Sequence, residues 1–325
     1  MNRRNILSGL SAAALAGGLR PARAALPAGL QVLGAPNAST IVLVRLLESG
    51  TWQAAAPGTR FRLWRDTDEL RAGIVSGETR LFTTPSHVPA LFANRGVPVR
   101  LLAIVSMGHL YVVSDDAKVA SLSDLRGRRV TTFFRNDMPD LVFRALLRKE
   151  GLEPGRDLEI DYVATPMEAA QLAIAGRAST VLLSEPPATM AITMAERSGR
   201  TLYRAISLQA EWGRHFGHPR IPMAGVALHQ SLIDEAPEVL ALLRSGLPEA
   251  ARWVFANPEE AGTLAERTMD IRAPLFRRAL GNLNIEVVGA RAMQAEIMAF
   301  YRVLLDLNPA AIGGRLPDES LFLDL

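Results

Sequence analysis

The sequence predicts an α/β protein with two lobes, each built on a mostly parallel sheet flanked by helices. Strand-like and helix-like segments alternate between residues 30 and 229, a pattern typical of parallel strands joined by right-handed helical crossovers. A helical run follows, from about 232 to 306. At 325 residues the chain exceeds the length that one hydrophobic core usually serves, so two lobes are expected.

The individual elements follow from apolar spacing and from turn and capping residues. The predicted strands are 30–33, 60–64, 79–83, 99–105, 110–114, 129–133, 158–163, 180–183, 201–206 and 224–229. The predicted helices between them are 40–48, 67–75, 87–94, 122–125, 139–150, 167–175 and 188–198. Gly50 is interpreted as the stop of the first helix, and breaks near Asn257 and Pro274 divide the final helical run. The tail from Pro309 is expected to be irregular.

Residues 1–24 have the features of an export signal. Arg3 and Arg4 precede an apolar, Gly- and Ala-rich run at 6–18, and a small-x-small cleavage pattern ends at Ala24. Paired arginines are typical of twin-arginine export, with an ordinary secretion signal as the alternative. The apolar run is shorter than the roughly 20 residues of a membrane-spanning helix. We therefore expect cleavage after Ala24 and a periplasmic mature chain that is not an integral membrane protein.

Charge and cysteine usage exclude several classes of function. The formal net charge is +3, and loss of the four arginines of the leader would change it to −1. Only Lys118 and Lys149 are lysines, and no basic stripe with interleaved aromatic residues is present, so a nucleic-acid partner is not expected. The chain has no Cys, which excludes disulfides, thiolate metal sites and thiol nucleophiles.

No standard catalytic or cofactor-binding motif occurs. The sequence lacks phosphate-loop, dinucleotide, nucleophile-elbow and zinc-protease signatures. Glu211, His215 and His218 have helical spacing for a metal, but Gly213 and Gly217 favour a solvated loop there. We predict no catalytic residue, no metal and no cofactor.

Polar loops follow four predicted strands, where ligands bind in open α/β sheets. These loops contain Asn37 and Ser39, then Ser86, then Arg135, Asn136 and Asp137, and finally Glu185. Free N–H groups at the helix starts that follow are suited to polar or anionic ligands, although simple helix capping is the alternative for each loop. Arg135 would suit a carboxylate or sulfonate, whereas Asp137 or Glu185 would accept from an amine; a solvated tip is a further alternative for the charged loop.

The order of these segments resembles a known family. The segment 105–133 contains Ala-Ser-Leu-Ser-Asp-Leu-Arg-Gly-Arg-Arg-Val at 120–130, which is similar to an element of the periplasmic substrate-binding proteins of ABC transporters. The strand end Leu-Ser-Glu-Pro at 183–186 and the return segment 222–237 resemble further elements of that family, with Ser184 where Trp is usual. The similarity is greatest to the nitrate, sulfonate, taurine and thiamine-precursor group (NMT1/THI5-like).

The resemblance implies the type II periplasmic-binding fold. Lobe one would contain 25–107 and 222–325, lobe two would contain 108–221, and strands near 105–112 and 205–224 would form the hinge. The bulky, charged loop at 133–140 departs from the small residues usual in the family. The candidate ligand-binding residues are Asn37, Ser39, Ser86, His109, Arg135, Asn136, Asp137 and Glu185.

The predicted function is capture of a small polar or anionic organic solute between the lobes, for delivery to an ABC transporter permease and ATPase. An enzyme on the same fold and a ligand-sensing module for a signalling partner are the alternatives. The enzymes of this fold that carry a Cys-rich motif or a Cys-linked cofactor are excluded by the absence of Cys.

Overall fold

Two β-sheets organise the protein in the computed structural model, which describes residues 26–325. The predicted export signal, 1–24, lies outside the described residues. The strands are β1 (Gln31–Gly34), β2 (Arg60–Leu63), β3 (Leu81–Pro85), β4 (Val99–Ser106), β5 (Leu110–Ser114), β6 (Arg129–Phe133), β7 (Glu159–Val163), β8 (Thr180–Ser184), β9 (Tyr203–Ser207), β10 (Ala224–His229) and β11 (Val288–Gly289).

The helices lie between these strands and in the final third of the chain. They are α1 (Ile41–Leu47), α2 (Gly50–Ala55), α3 (Thr67–Ser76), α4 (Val88–Asn94), α5 (Met138–Lys149), α6 (Pro166–Ile174), α7 (Pro187–Arg197), α8 (Leu208–Phe216), α9 (Gln230–Glu235), α10 (Glu238–Ala256), α11 (Pro258–Met269), α12 (Ala273–Ala279) and α13 (Gln294–Leu307). None of the helices in residues 26–325 combines the length and the apolar character that crossing a bilayer requires.

The first sheet has the strand order β11-β4-β10-β3-β1-β2, and the second has the order β7-β6-β8-β5-β9. In the first sheet β1 pairs in parallel with β2 and β3, and in the second β6 pairs in parallel with β7 and β8. This alternation of strands and helices confirms the predicted α/β class.

Both sheets also contain an inserted antiparallel strand that the alternation did not predict. Strand β5 runs against β8 and β9, and β10 runs against β3 and β4. Each of these strands has just crossed from the other sheet, so it enters at the edge where its parallel neighbours end. The register shows this directly, because Leu110 at the start of β5 lies opposite Ser184 at the end of β8.

Apolar side chains fill three layers around the sheets. One cluster packs α1, α10 and α11 against the outer face of the first sheet, and a smaller one packs α6 and α7 against the outer face of the second. A third cluster is continuous between the sheets and includes Trp212 of α8 and Phe300 of α13. Their rings meet edge to face, with centroids 5.7 Å apart, so α13 belongs to the core that joins the two sheets.

Three predicted details of the elements are wrong. Gly50 begins α2 rather than ending the first helix, because the Ser49 hydroxyl caps this helix by accepting from the Trp52 N–H at 3.2 Å. The second crossing, 205–224, contains the helix α8 and is not a continuous strand. The solvated loop expected around Glu211 is this helix, which Ser207 caps and Gly217 ends with a φ of +86°.

Candidate functional site

The loops that follow β3, β6 and β8 meet beside the link between β4 and β5. His87 Nε2, after β3, lies 3.5 Å from Asp137 Oδ1, after β6. The backbone N–H of Glu185, after β8, donates to the His109 carbonyl in the link at 3.0 Å. We call Ser86, His87, His109, Asp137 and Glu185 the strand-end site.

Ser86 is fixed by three contacts within the chain. Its N–H donates to the Met223 carbonyl at 3.0 Å, and its hydroxyl donates to the Pro222 carbonyl. The Ser86 carbonyl accepts from the Tyr301 hydroxyl at 2.6 Å. Because Ser86 is fully buried, its polar atoms serve to hold the turn that presents His87.

His87 has unused hydrogen-bonding capacity. The residue is 5% exposed, and its Nδ1 has no partner among residues 26–325. Burial lowers the pKa of His87, while the nearby Asp137 charge opposes that change. His87 is not among the candidate ligand-binding residues identified from the sequence, because a single histidine beside a strand end is more often an ordinary surface or hydrogen-bonded residue.

Two buried threonines near the carboxyl ends of their strands share this property. The hydroxyl of Thr84 on β3 and that of Thr132 on β6 have no partner in the described chain, and both residues are fully buried. Buried hydroxyls are nearly always hydrogen-bonded, so each unpartnered one calls for an explanation. Each threonine is the residue before the last of its strand, close to the loop that carries a candidate residue.

Asp137 begins α5 and retains an accessible carboxylate. Its Oδ1 accepts from the Met138 N–H at 2.6 Å, and its side chain is 44% exposed. A carboxylate at this position is stabilised by the free N–H groups and the partial positive charge of the helix start.

Glu185 is buried and bound on both oxygens. Oε2 accepts from the Thr189 N–H at 3.1 Å, and Oε1 accepts from Arg204 Nη2. Arg204 also donates to the Thr189 hydroxyl at 2.9 Å and lies 4.9 Å from the centroid of the Tyr111 ring. Burial raises the pKa of Glu185, and the charge of Arg204 acts in the opposite direction.

His109 supports the site from the link between the sheets. The residue is 8% exposed, and its Nδ1 lies 2.9 Å from the Ser106 hydroxyl. Burial lowers the pKa of His109 to about 4, so the ring is neutral at neutral pH. A serine beside a histidine suggests nucleophilic catalysis, but this Ser106 is fully buried and a histidine of such low pKa is a weak base.

Asn37 and Ser39 lie on the loop after β1, and their side chains hydrogen-bond to each other. Asn37 Oδ1 accepts from the Ser39 N–H at 3.1 Å and from the Ser39 hydroxyl at 2.6 Å. The loop is tied to β3, because the Ala35 N–H donates to the Thr83 hydroxyl at 2.7 Å. These two candidates therefore lie one strand away from Ser86, as a capped 3-10 turn.

Arg135 and Asn136 lie on the far side of their loop. The Arg135 guanidinium is 5.2 Å from the centroid of the Tyr162 ring. Asn136 has a φ of +63°, and its N–H donates to Asp140 Oδ2 at 2.8 Å. Both residues line an outer cavity of about 580 Å³ whose wall includes neither Ser86, His109 nor Glu185.

A model of the NMT1-like family matches residues 97–269. The chain belongs to the NMT1-like family. None of the curated proteins compared with the chain matches it.

Solved structures show the fold of this NMT1-like chain. It superimposes with a TM-score of 0.74 on an ABC transporter protein from Parabacteroides distasonis, at 19% identity over 90% of this chain and 98% of that one. The periplasmic aliphatic sulphonate binding protein SsuA from Escherichia coli gives 0.67, at 15% identity over 91% and 100%. The periplasmic nitrate-binding protein NrtA from Synechocystis gives 0.58, at 15% identity over 77% and 69%. The predicted type II periplasmic-binding fold is thereby confirmed.

The metal-like cluster of this NMT1-like protein differs from the one considered from sequence. Glu150 joins Glu211 and His215, whose ligand atoms lie within 4.8 Å of one another, while His218 Nδ1 pairs with the Arg220 carbonyl at 3.2 Å. The Arg214 guanidinium already bridges the two carboxylates, at 2.8 Å from Glu150 Oε1. The positive charge in this cluster is therefore supplied by the Arg214 side chain.

Proposed function

We propose that this protein is the solute-binding component of an ABC-type import system and holds a small polar solute at the strand-end site. The observation that carries the proposal is the unpartnered, buried polar groups of Thr84, His87 and Thr132 near the ends of strands from two separate sheets. The fold supports it, because solute-binding proteins of known structure share this architecture.

The proposed lobes are 25–107 with 222–325, and 108–221. The two chain crossings between them are the three-residue link between β4 and β5 and the segment that carries α8. Polar contacts at the rim join the lobes: Arg148 pairs with Asp306 at 2.7 Å, and Asn308 Nδ2 donates to the Asn136 carbonyl at 3.0 Å. Exposed contacts of this kind contribute little energy individually. Apolar packing also spans the proposed lobes, because Trp212 of α8 meets Phe300 of α13, so a hinge motion that opens the strand-end site would turn about this packed region.

The test of solute binding starts with protein purified without denaturation. Native mass spectrometry should detect a small molecule that dissociates when the protein is unfolded and that raises the melting temperature when added back. A ligand that binds only the folded form adds about 2.7 kcal/mol of stability at a hundredfold excess over its dissociation constant. Protein that neither retains nor responds to any small molecule would contradict the proposal.

The hinge is tested separately by small-angle scattering. The radius of gyration should fall when the confirmed solute is added at saturation. A variant with Arg148→Ala and Asn308→Ala should start from a larger radius without solute, because the rim contacts are lost. An identical radius in all four states would indicate a rigid scaffold.

We further propose that residues 1–24 direct export to the periplasm and are cleaved after Ala24. In the periplasm the mature protein would deliver its solute to a permease and ATPase. Mature protein from its host should begin at Ala25. Arg3→Lys combined with Arg4→Lys should block export if the twin-arginine route is used, whereas normal export of this variant would indicate general secretion.

A further inference from the structure

The charged groups at the strand-end site do not balance. Asp137 and Glu185 contribute two carboxylates, and Arg204 contributes one guanidinium that binds Glu185. Arg135 lies over Tyr162 and makes no ion pair with residues 26–325, and Arg144 of α5 lies 3.7 Å from Asp140 rather than from Asp137. Asp137 is therefore left with His87 as its only ion-pair contact in the described chain, at 3.5 Å.

At two helix starts of this site, one of the N–H groups that an oxyanion could use is already taken. Free N–H groups at a helix start bind anions, and two long helices begin at this site. At α5 the Met138 N–H is taken by Asp137, and at α7 the Thr189 N–H is taken by Glu185. The chain's own carboxylates thus occupy both helix starts.

We propose that the ligand of the strand-end site presents a positively charged nitrogen, such as an ammonium or amidinium group, to the Asp137 carboxylate. This inference rests on the proposed solute-binding function and narrows its substrate class. The independent sign that a ligand belongs here is His87, which is buried beside Asp137 at 3.5 Å and whose Nδ1 has no partner among residues 26–325; it would bind a further polar atom of the ligand.

The neighbouring charges agree with this assignment. The Asp137 carboxylate is 44% exposed, so a positive group of a ligand can reach it. An oxyanion at the same place would meet the Asp137 charge, while Arg204 is paired with Glu185 and Arg135 lies over the Tyr162 ring, so repulsion would act against nitrate or a sulfonate. The sulphonate- and nitrate-binding neighbours named above share the fold, and the charges of this site separate its ligand class from theirs.

The experiment uses the mature chain and a bacterial small-molecule extract divided into three pools at pH 7: retained by a cation exchanger, retained by an anion exchanger, and retained by neither. The melting temperature is measured with each pool, and with sodium nitrate and sodium ethanesulfonate as defined anions. The cation-exchange pool is expected to raise it, and the two anions are expected to leave it unchanged.

The variant Asp137→Asn decides whether the carboxylate is responsible. Asparagine caps a helix as well as aspartate does, so the fold should persist, and Asp137→Ser provides a second uncharged cap. Affinity for the active pool should fall by about ten- to a hundredfold, as expected for loss of a charge-assisted contact. Asp66→Asn is the matched control, because Asp66 caps α3 by accepting from the Glu69 N–H at 2.8 Å.

Each outcome decides the question. A melting-temperature shift from the cation-exchange pool supports the inference if both Asp137 variants weaken it. A shift from the unretained pool that both variants weaken also supports it and indicates a zwitterionic ligand. A shift from the anion pool or from either anion overturns it, as does any shift that the Asp137 variants leave intact, while solute binding itself would stand. If no pool shifts the melting temperature, the proposed function fails and this inference with it.

Discussion

The Tyr301 hydroxyl donates to the Ser86 carbonyl at 2.6 Å, across 215 positions of the chain. Burial raises the pKa of Tyr301, so the hydroxyl keeps its proton and remains a donor at all relevant pH values. The contact ties α13 to the turn that carries His87. The last long helix therefore fixes the geometry of a loop encoded in the first third of the sequence.

Removing that hydroxyl should weaken the fold. Tyr301→Phe leaves the ring in place but deprives the buried Ser86 carbonyl of a donor, which should lower the free energy of unfolding by about 1–3 kcal/mol. Urea titration measures this change. Tyr203→Phe is the control, because Tyr203 is 41% exposed, and it should change stability by less than about 0.5 kcal/mol. Equal effects would mean that the Tyr301 contact contributes nothing.

Breaking the Glu185–Arg204 pair should cost more than breaking an exposed pair. Glu185→Gln leaves the partly buried Arg204 without its carboxylate, and loss of one partner of a buried pair costs about 3–5 kcal/mol. The control is Glu159→Gln, since Glu159 pairs with Arg129 at 2.7 Å with both side chains about two-thirds exposed. That control should cost at most about 1 kcal/mol. Chemical denaturation of the two variants side by side gives the comparison.

Acid should destabilise the protein through His109. Its pKa is about 4 in the folded chain against an ordinary value of 6.5, so the unfolded chain binds more protons between these values. The stabilisation is complete above pH 6.5 and is lost as the pH falls towards 4, to an extent of about 3 kcal/mol.

His109→Gln removes this titration. Unfolding free energies measured at pH 7, 5.5 and 4.5 should fall less steeply in the variant than in the parent protein. A parent slope in the His109 variant would show that other groups cause the acid sensitivity.

The link between the sheets requires glycine at position 108. Gly108 has a φ of +108°, and a Cβ there would lie 2.9 Å from the Gln209 Cβ. The positive φ alone should make Gly108→Ala cost roughly 1 kcal/mol of stability. The clash of the new Cβ with Gln209 should add about 1–3 kcal/mol to that cost. Gly127→Ala measures the strain by itself, because Gly127 has a φ of +72° and open space around it. Thermal unfolding that ranks the two variants equally would rule out the clash.

Local patterns predicted most of the elements because periodicity and capping act over a few residues. Breaks expected near Asn257 and Pro274 coincide with the starts of α11 and α12, and the family resemblance supplied the two-sheet fold. Strand direction is a long-range property, so the antiparallel insertion of β5 and β10 could not be read from alternation. Helix α8 was missed because Gly213 suggested a loop, whereas Pro219 packs where its side chain would be.

The candidate site was only partly accessible to sequence reasoning. Strand-end loops were found because each has turn and capping residues, and the predicted ligand contacts there remain predictions. That Arg204 binds Glu185 depends on β9 lying in the same sheet as β8, separated from it by β5, which no local pattern reveals. Arg135 was assigned to the site because of its charge. In the structure its guanidinium lies over the Tyr162 ring, next to Asn136 with its positive φ, and Arg135 lines the outer cavity.

The placement of β11 and of the chain end determines when each sheet can form during synthesis. All strands of the second sheet come from one uninterrupted stretch, 110–207, which leaves the ribosome before the final hundred residues. The first sheet instead needs β11 beside β4, and the Leu323 N–H donates to the Leu101 carbonyl at 2.9 Å. A nascent chain can thus pair all strands of the second sheet while β4 of the first sheet still lacks β10 and β11. Removal of even a few residues from the C-terminus would therefore take away the Leu323 contact of β4, a strand that was synthesised much earlier.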